Sequence, residues 1–475
     1  MDIMTSIMEN VASFVDIVNT FLWDYALLVL LLGTGIIYSF SLKFIQVRKF
    51  GAGMKKMFGN FSLHGKSTEN GLSSFQALAT AIAAQVGTGN IAGAATAIAS
   101  GGPGAIFWMW VSAFFGMATI YAEAVMAQHT RVKENGVVVG GPVYYIKYIF
   151  KGKFGKFLAG FFSVAIILAL GFMGNMVQSN SIAETFQYTF GSRPEVVGVI
   201  LTGIVFLVIF GGIGRIAMVS ERLVPISAGI YMLFSMVVIM SCYDQIPAIF
   251  ASIFHDALKP GAAVSGAAGY GISKSLQYGM SRGVFSNEAG LGSMAVLHGA
   301  AEETTPEQQG MWAMFEVFFD TILICTMTAL VILCMTGGDA AGSGYDGAAL
   351  TAYCFSKRLG GLGEYLVSAA MMLFAFATII AWYYLGRQAS GYLAERLKEH
   401  GHFLLLSRIL RGKAYTFLYL GAVFLGCVAR LETVWELSDI WNGLMALPNI
   451  AALIFLMKEV TFPKGKEGEI QTRKN

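Results

Sequence analysis

The most constraining feature of this 475-residue chain is the spacing of its charged residues, which leave eleven apolar blocks almost free of charge. They lie near residues 21–42, 71–99, 104–130, 156–189, 195–212, 217–241, 269–299, 311–336, 362–386, 414–431 and 437–457. About 20 mostly apolar residues suffice for a helix to cross a hydrocarbon layer roughly 30 Å thick. Buried helices of a soluble protein would need alternating polar faces, which most of these blocks lack. With 56% hydrophobic and only 13% charged residues, the expected class is an all-α polytopic membrane protein with eleven transmembrane helices.

Orientation follows from the cations. If the first block enters from outside, 25 of the 32 Lys and Arg fall in the inner loops and tail and five outside (Arg193, Lys259, Lys357, Arg358 and Arg430), while Lys274 and Arg282 lie within a span. This is the positive-inside bias. It predicts a multi-pass protein of the cell membrane with its N-terminus outside and its C-terminus cytoplasmic. Residues 1–70 then comprise an interfacial helix with apolar positions at Ile3, Ile7, Val11 and Val18, the first span and a basic inner loop. Residues 71–458 hold the other ten spans, and 459–475 form a cytoplasmic tail. The net charge of +3 reflects topology and does not point to nucleic acid.

Two spans carry unusual interiors. The first reads Ala84-Gln85-Val86-Gly87-Thr88-Gly89-Asn90-Ile91-Ala92-Gly93; the second runs from Ser281 through Arg282, Phe285, Ser286, Asn287 and Glu288 to Gly292. Glycine is a weak helix former, and Asn and Ser compete for backbone partners, so both helices are expected to break. Each opens a group of five helices, 71–241 and 269–458, which start from opposite sides of the membrane. Interrupted helices at matching positions of inverted repeats point to a midplane binding site in secondary transporters. An unwound turn frees carbonyls for a cation and N–H groups for a carboxylate. Close helix packing also explains the alanines and glycines of 79–93, but not Gln85 and Asn90.

Other polar residues admit two readings. Arg282 and Glu288 are costly in a bilayer core and form either an ion pair or a proton or cation site. Glu316 and Asp320 sit four residues apart, as a proton relay or as partners of Arg282 or Lys274. Glu123 receives no role. Asn175, Gln178 and Asn180 line a surface or bind neighbouring helices. Thr378 could complete a shell of oxygens around sodium, and Trp382 could wall a pocket or anchor at the interface. The five cysteines have no metal-ligand spacing, although Cys242 and Cys354 share the outer side and could pair. Phosphate loops, zinc-binding helices and nucleophile elbows are missing, so an enzyme is not expected. A channel would need a continuous polar stripe rather than two midspan clusters.

Gly101-Gly102-Pro103-Gly104-Ala105-Ile106-Phe107-Trp108-Met109-Trp110, with AQVGTGNIAG at 84–93, GGPVYYI at 140–146, GNMVQSNSIA at 174–183, GMSRGVFSNEAGLGS at 279–293 and FAFATIIAWYYLG at 374–386, resembles the alanine/glycine:cation symporter family. The resemblance implies a LeuT-like fold of five-plus-five inverted helices preceded by one additional N-terminal helix. It implies sodium as coupling ion, a proton less often, and a small neutral amino acid such as alanine or glycine as cargo. By motif position, Gln85, Thr88, Gly89, Asn90, Gln178, Phe285, Ser286, Asn287 and Trp382 would meet substrate, while Gly87 and Thr378 would hold sodium. Arg387 departs from the family pattern, in which an acidic residue often follows Gly386. Cargo identity, stoichiometry and oligomeric state are not legible in the chain.

Overall fold

The computed structural model describes residues 13, 15, 17–59, 72–134, 136–258, 274–302, 304–399, 404–429, 432–461 and 471–472. Most of the expected interfacial helix at the N-terminus and most of the 459–475 tail lie outside the described residues.

Seven helices are long and apolar enough to cross a membrane: α1 (Ile17–Ser41), α5 (Gly104–His129), α7 (Gly152–Phe190), α9 (Gly212–Met240), α13 (Pro306–Thr336), α15 (Gly361–Glu399) and α18 (Glu432–Thr461). Between them lie the shorter α2 (Phe50–Gly59), α6 (Pro142–Ile149), α8 (Pro194–Ile209), α10 (Ile246–Ala257), α14 (Gly347–Leu359), α16 (Leu404–Arg411) and α17 (Lys413–Val428). The two blocks expected to break are each divided, into α3 (Ser74–Gln85) and α4 (Ala94–Gly101), and into α11 (Lys274–Asn287) and α12 (Ser293–Gly299). Side chains such as Val29, Phe40, Ile200, Leu207, Leu233, Phe417 and Phe455 are exposed along the outer helices, an apolar girdle suited to lipid.

Local chemistry sets the boundaries. Ser73 caps α3 in a reciprocal box with Gln76, Thr305 caps α13 ahead of Pro306, and Gly191 ends α7 in the left-handed conformation. The broken helices occupy the centre. α3 lies between α9 and α15, while α11 packs along α5, whose other face meets α13. Small residues permit that crossing: a Cβ on Gly279 would stand 2.3 Å from the Ala105 carbonyl oxygen, and one on Gly283 2.4 Å from Ser112 Oγ.

The 387–413 segment is largely helical, because α15 continues to Glu399 and α16 follows it. Arg387 stitches the two together by donating to the carbonyls of Leu410 (2.9 Å), Gly412 (3.2 Å) and Arg411. The inner 131–156 segment contains a hairpin, β1 (Val132–Glu134) and β2 (Val137–Val139), turned at Gly136, which period-3.6 reading passes over. A third strand, β3 (Gln471–Thr472), pairs parallel with β1. The short helices α10 and α14 lie within 242–258 and 337–361. Cys242 and Cys354 are free and buried, as are the other three cysteines, so no disulfide forms.

Candidate functional site

α3 is rich in small residues, and Ala77, Ala79, Ala81, Ala83 and Ala84 are all buried. It can therefore thread the middle of the bundle. It stops at Gln85; Val86 is extended (φ −75°, ψ 92°), and the chain resumes as a wide π-helical turn over Gly89–Gly93. Such turns often mark functional positions. The break is held from within: the Gly87 N–H donates to Asn90 Oδ1 at 2.9 Å, and the Thr88 N–H donates to Gln178 Oε1 of α7 at 3.1 Å.

The second break lies later than the sequence suggests. α11 continues through Phe285, Ser286 and Asn287, and the backbone turns at Glu288 (φ 53°), Gly290 (φ 91°) and Gly292 (φ 84°). Positive φ is inexpensive at the two glycines, but it costs about 1–2 kcal/mol at Glu288. The side chain of Glu288 compensates: its Oε1 accepts from Trp382 Nε1 at 3.0 Å, and its Oε2 accepts from the Ser293 hydroxyl. Glu123 and Asn449 secure the loop from the other side, since Asn449 Nδ2 donates to Glu123 Oε1 (2.5 Å) and to the Gly290 carbonyl (2.9 Å).

The two breaks touch. Gln85 Nε2 donates to the Asn287 carbonyl at 2.8 Å. A Cβ on Gly89 would lie 3.1 Å from Ser286 Cα, so glycine is what lets the two backbones approach. Two buried oxygens, Gln85 Oε1 and Thr88 Oγ1, have no hydrogen-bond partner among the described residues. Burying such groups without compensation is unfavourable.

Beside them stands a group of oxygens. Thr378 Oγ1 of α15 lies 2.9 Å from the Ala83 carbonyl, 3.3 Å from that of Val86 and 3.1 Å from that of Phe374. Hard oxygen donors of this kind suit an alkali cation. Gly87 contributes space: a Cβ there would be 2.6 Å from Thr378 Oγ1 and 3.0 Å from Gln178 Oε1. On the sodium role that the resemblance implies for Gly87 and Thr378, Gly87→Ala is expected to raise the sodium concentration for half-maximal uptake by roughly tenfold or more, about 1.4 kcal/mol. An unchanged sodium dependence would remove Gly87 from this site.

Of the residues expected from sequence, Gln85, Gly87, Thr88, Gly89, Asn90, Gln178, Ser286, Asn287 and Thr378 converge here. Phe285 and Trp382 sit at its margins. Phe285 faces the ring of Trp435 (centroids 5.8 Å apart), with the Arg282 guanidinium 5.9 Å from each ring. Arg282 and Trp435 border a cavity of about 450 Å³ that reaches from Ala92 and Gly93 past Glu184 to Asp346. The cavity thus begins at the end of the first break. Trp382 is held by Glu288 at the second.

Several partners differ from those considered from sequence. Arg282 pairs with Asp439 (3.5 Å), not with Glu288, Glu316 or Asp320. Glu316 pairs with His298 at 3.1 Å. Asn175 donates to the Gly171 (3.2 Å) and Tyr419 (3.3 Å) carbonyls and serves as interhelical glue, while Gln178 alone of its polar cluster reaches the break. Asp320 meets Asn90, a contact between residues 230 positions apart that no periodicity reveals.

Comparison with known proteins gives the family and the fold. Residues 8–465 match the model of the sodium:alanine symporter family. The sodium/alanine symporter AgcS of Methanococcus maripaludis is 40% identical over 94% of both chains. The probable sodium/glutamine symporter GlnT of Bacillus subtilis is 37% identical over 98% of this chain and 91% of its own. Among solved structures, MhsT in complex with L-phenylalanine shares the fold with a TM-score of 0.50 at 13% identity, covering 83% of this chain and all of MhsT.

Proposed function

Since the chain belongs to the sodium:alanine symporter family, we propose that it carries a small neutral amino acid, alanine or glycine, across the cell membrane together with sodium by alternating access. The observation that carries this reading is the meeting of two broken helices that leave buried, unpartnered oxygens on Gln85 and Thr88 beside the oxygens around Thr378. Sodium binds at Thr378 and the carbonyls of Ala83 and Val86, fixing the shape of the first break. The amino acid then docks at Gln85, Thr88, Gly89, Asn90, Gln178, Ser286 and Asn287, with Phe285 above and Trp382 below. Its carboxylate is received by N–H groups and its ammonium by amide and hydroxyl oxygens.

The framework for this cycle is eleven crossings: the seven long helices, α8, α17 and the two divided pairs. One additional N-terminal helix precedes LeuT-like inverted repeats at 71–241 and 269–458. The Lys and Arg bias places the N-terminus outside and the C-terminus inside, so the 450 Å³ cavity is the outer vestibule. Cargo size is the finer point, because relatives are named for alanine and for glutamine.

The test is uptake of labelled alanine by purified protein in proteoliposomes, with glycine, serine and glutamine as competitors. Replacing the inward sodium gradient by potassium is expected to lower uptake by roughly tenfold or more. Glycine should compete better than glutamine. Equal flux with and without the gradient would favour a channel and overturn the symport reading.

A further inference from the structure

Another cavity, of about 230 Å³, lies where α6, the first turns of α7 and the end of α15 meet, and the transport reading gives it no task. One face of each helix builds it. On α7, Gly152, Lys156 and Gly160 recur every four residues, a spacing that places them on one face. Arg396 of α15 crosses that face, since a Cβ on Gly160 would lie 2.9 Å from its Nη1. Lys147 of α6 rests its ammonium against the rings of Tyr392 and Tyr144, 4.9 and 5.6 Å from their centroids. Three cations from distant parts of the chain, Lys147, Lys156 and Arg396, thus line one hollow.

Two carboxylates share it, but Glu395 is paired with Arg411, and Glu134 accepts from the Tyr144 hydroxyl. With Arg411 included, four cations stand against two carboxylates, a formal charge of +2. α7 begins beside them at Gly152 without a side-chain cap, so its first N–H groups and the positive end of its dipole add to the same sign. The hollow is built for an anion.

Its rim decides which kind. Phe150 lines the cavity, and its ring stands 5.6 Å from that of Phe154 and 5.3 Å from that of Phe455. Phe154 and Phe455 are 59% and 67% exposed, and Phe157, three residues along α7, is 62% exposed. A soluble anion would gain nothing from that apolar surface. A diacyl lipid would lay its chains across it while its phosphate entered the hollow. The helix ends that form the site also lie on the side to which the Lys and Arg bias assigns the cytoplasm, where anionic lipid is concentrated.

We propose that this cavity binds an anionic phospholipid of the inner leaflet, with its phosphate held by Lys156, Arg396 and the start of α7 and its chains over Phe154 and Phe455. This rests on the membrane placement proposed above and not on the cargo or the ion. Bound there, the lipid ties α7, which carries Gln178, to α15, which carries Thr378.

The experiment is titration of purified protein in a neutral detergent with acyl-labelled phosphatidylglycerol or acyl-labelled phosphatidylcholine, and competition by glycerol 1-phosphate as the soluble headgroup. It compares the wild type with Lys156→Gln, Arg396→Gln and, as control, Lys413→Gln on the exposed start of α17. Phosphatidylglycerol is expected to bind the wild type at least tenfold more tightly than phosphatidylcholine. Lys156→Gln and Arg396→Gln should each weaken it roughly fivefold, and Lys413→Gln should leave it unchanged. Lys156 is exposed, so its variant serves if Arg396→Gln does not fold. Equal binding of the two lipids, equal loss in Lys413→Gln, or displacement by glycerol 1-phosphate at matching concentration overturns the lipid site. Each of these leaves symport standing, because sodium-driven alanine uptake by the same wild-type protein is read separately.

Discussion

Alanine uptake by Asn90→Ala protein is expected to fall at least tenfold, with Gln85→Ala close behind, although both proteins reach the membrane in normal amounts. Asn90 performs two tasks with one amide: its oxygen accepts from the Gly87 N–H at 2.9 Å, and its nitrogen donates to Asp320 at 2.6 Å. Alanine leaves a buried N–H and a buried carboxyl oxygen without that partner, at about 1–3 kcal/mol each. A shift of only about 1.4 kcal/mol toward other shapes of the break already removes about nine-tenths of the competent state. Gln85→Ala deletes the 2.8 Å bond to the Asn287 carbonyl and, with it, the polar link between the two breaks. The measurement is initial uptake normalised to protein in the liposome, with elution on size exclusion reporting the fold. Wild-type rates in both variants would show that the crossing of the broken helices is not where cargo binds.

The all-helical, membrane-spanning class was legible because a bilayer imposes its own length scale on sequence. Charge-free blocks require no knowledge of tertiary contacts. The first break was legible for a related reason: Gly87, Gly89 and Asn90 in a run of alanines weaken a helix wherever they occur. The second was displaced, since polar residues alone do not unwind a turn that neighbours support. Gly279 and Gly283 seat α11 so closely against α5 that the helix survives past Arg282 and Ser286, yielding only where Gly290 and Gly292 supply left-handed backbone. Partners were the least legible. Glu316 and Asp320 are one helical turn apart in sequence, yet the wide turn beginning at Phe318 changes the phase of α13. One acid then meets His298 and the other Asn90. Likewise, nothing in the sequence around Arg282 names Asp439, because that pairing depends on how α11 and α18 lie together.

Glu288 separates a structural acid from a proton carrier, and its two simplest variants should behave very differently. In Glu288→Ala the Trp382 N–H and the Ser293 hydroxyl lose their shared acceptor, about 1–3 kcal/mol for each buried donor. The left-handed backbone remains, without the side chain that compensated it. Loss of roughly 2–6 kcal/mol from the second break should bring uptake to background and lower the thermal unfolding midpoint in detergent. Glu288→Gln preserves the shape. Its amide oxygen can accept from Trp382, and its NH2 can donate to Ser293, whose hydroxyl turns from donor to acceptor. If the carboxyl group is a clamp, the glutamine variant should keep uptake within about twofold of wild type and unfold at nearly the same temperature. If a proton must bind and leave Glu288 in each cycle, the glutamine variant will be as stable as wild type and yet inactive. The geometry favours the clamp, because both carboxyl oxygens are already committed to donors that hold Trp382 and the start of α12 in place.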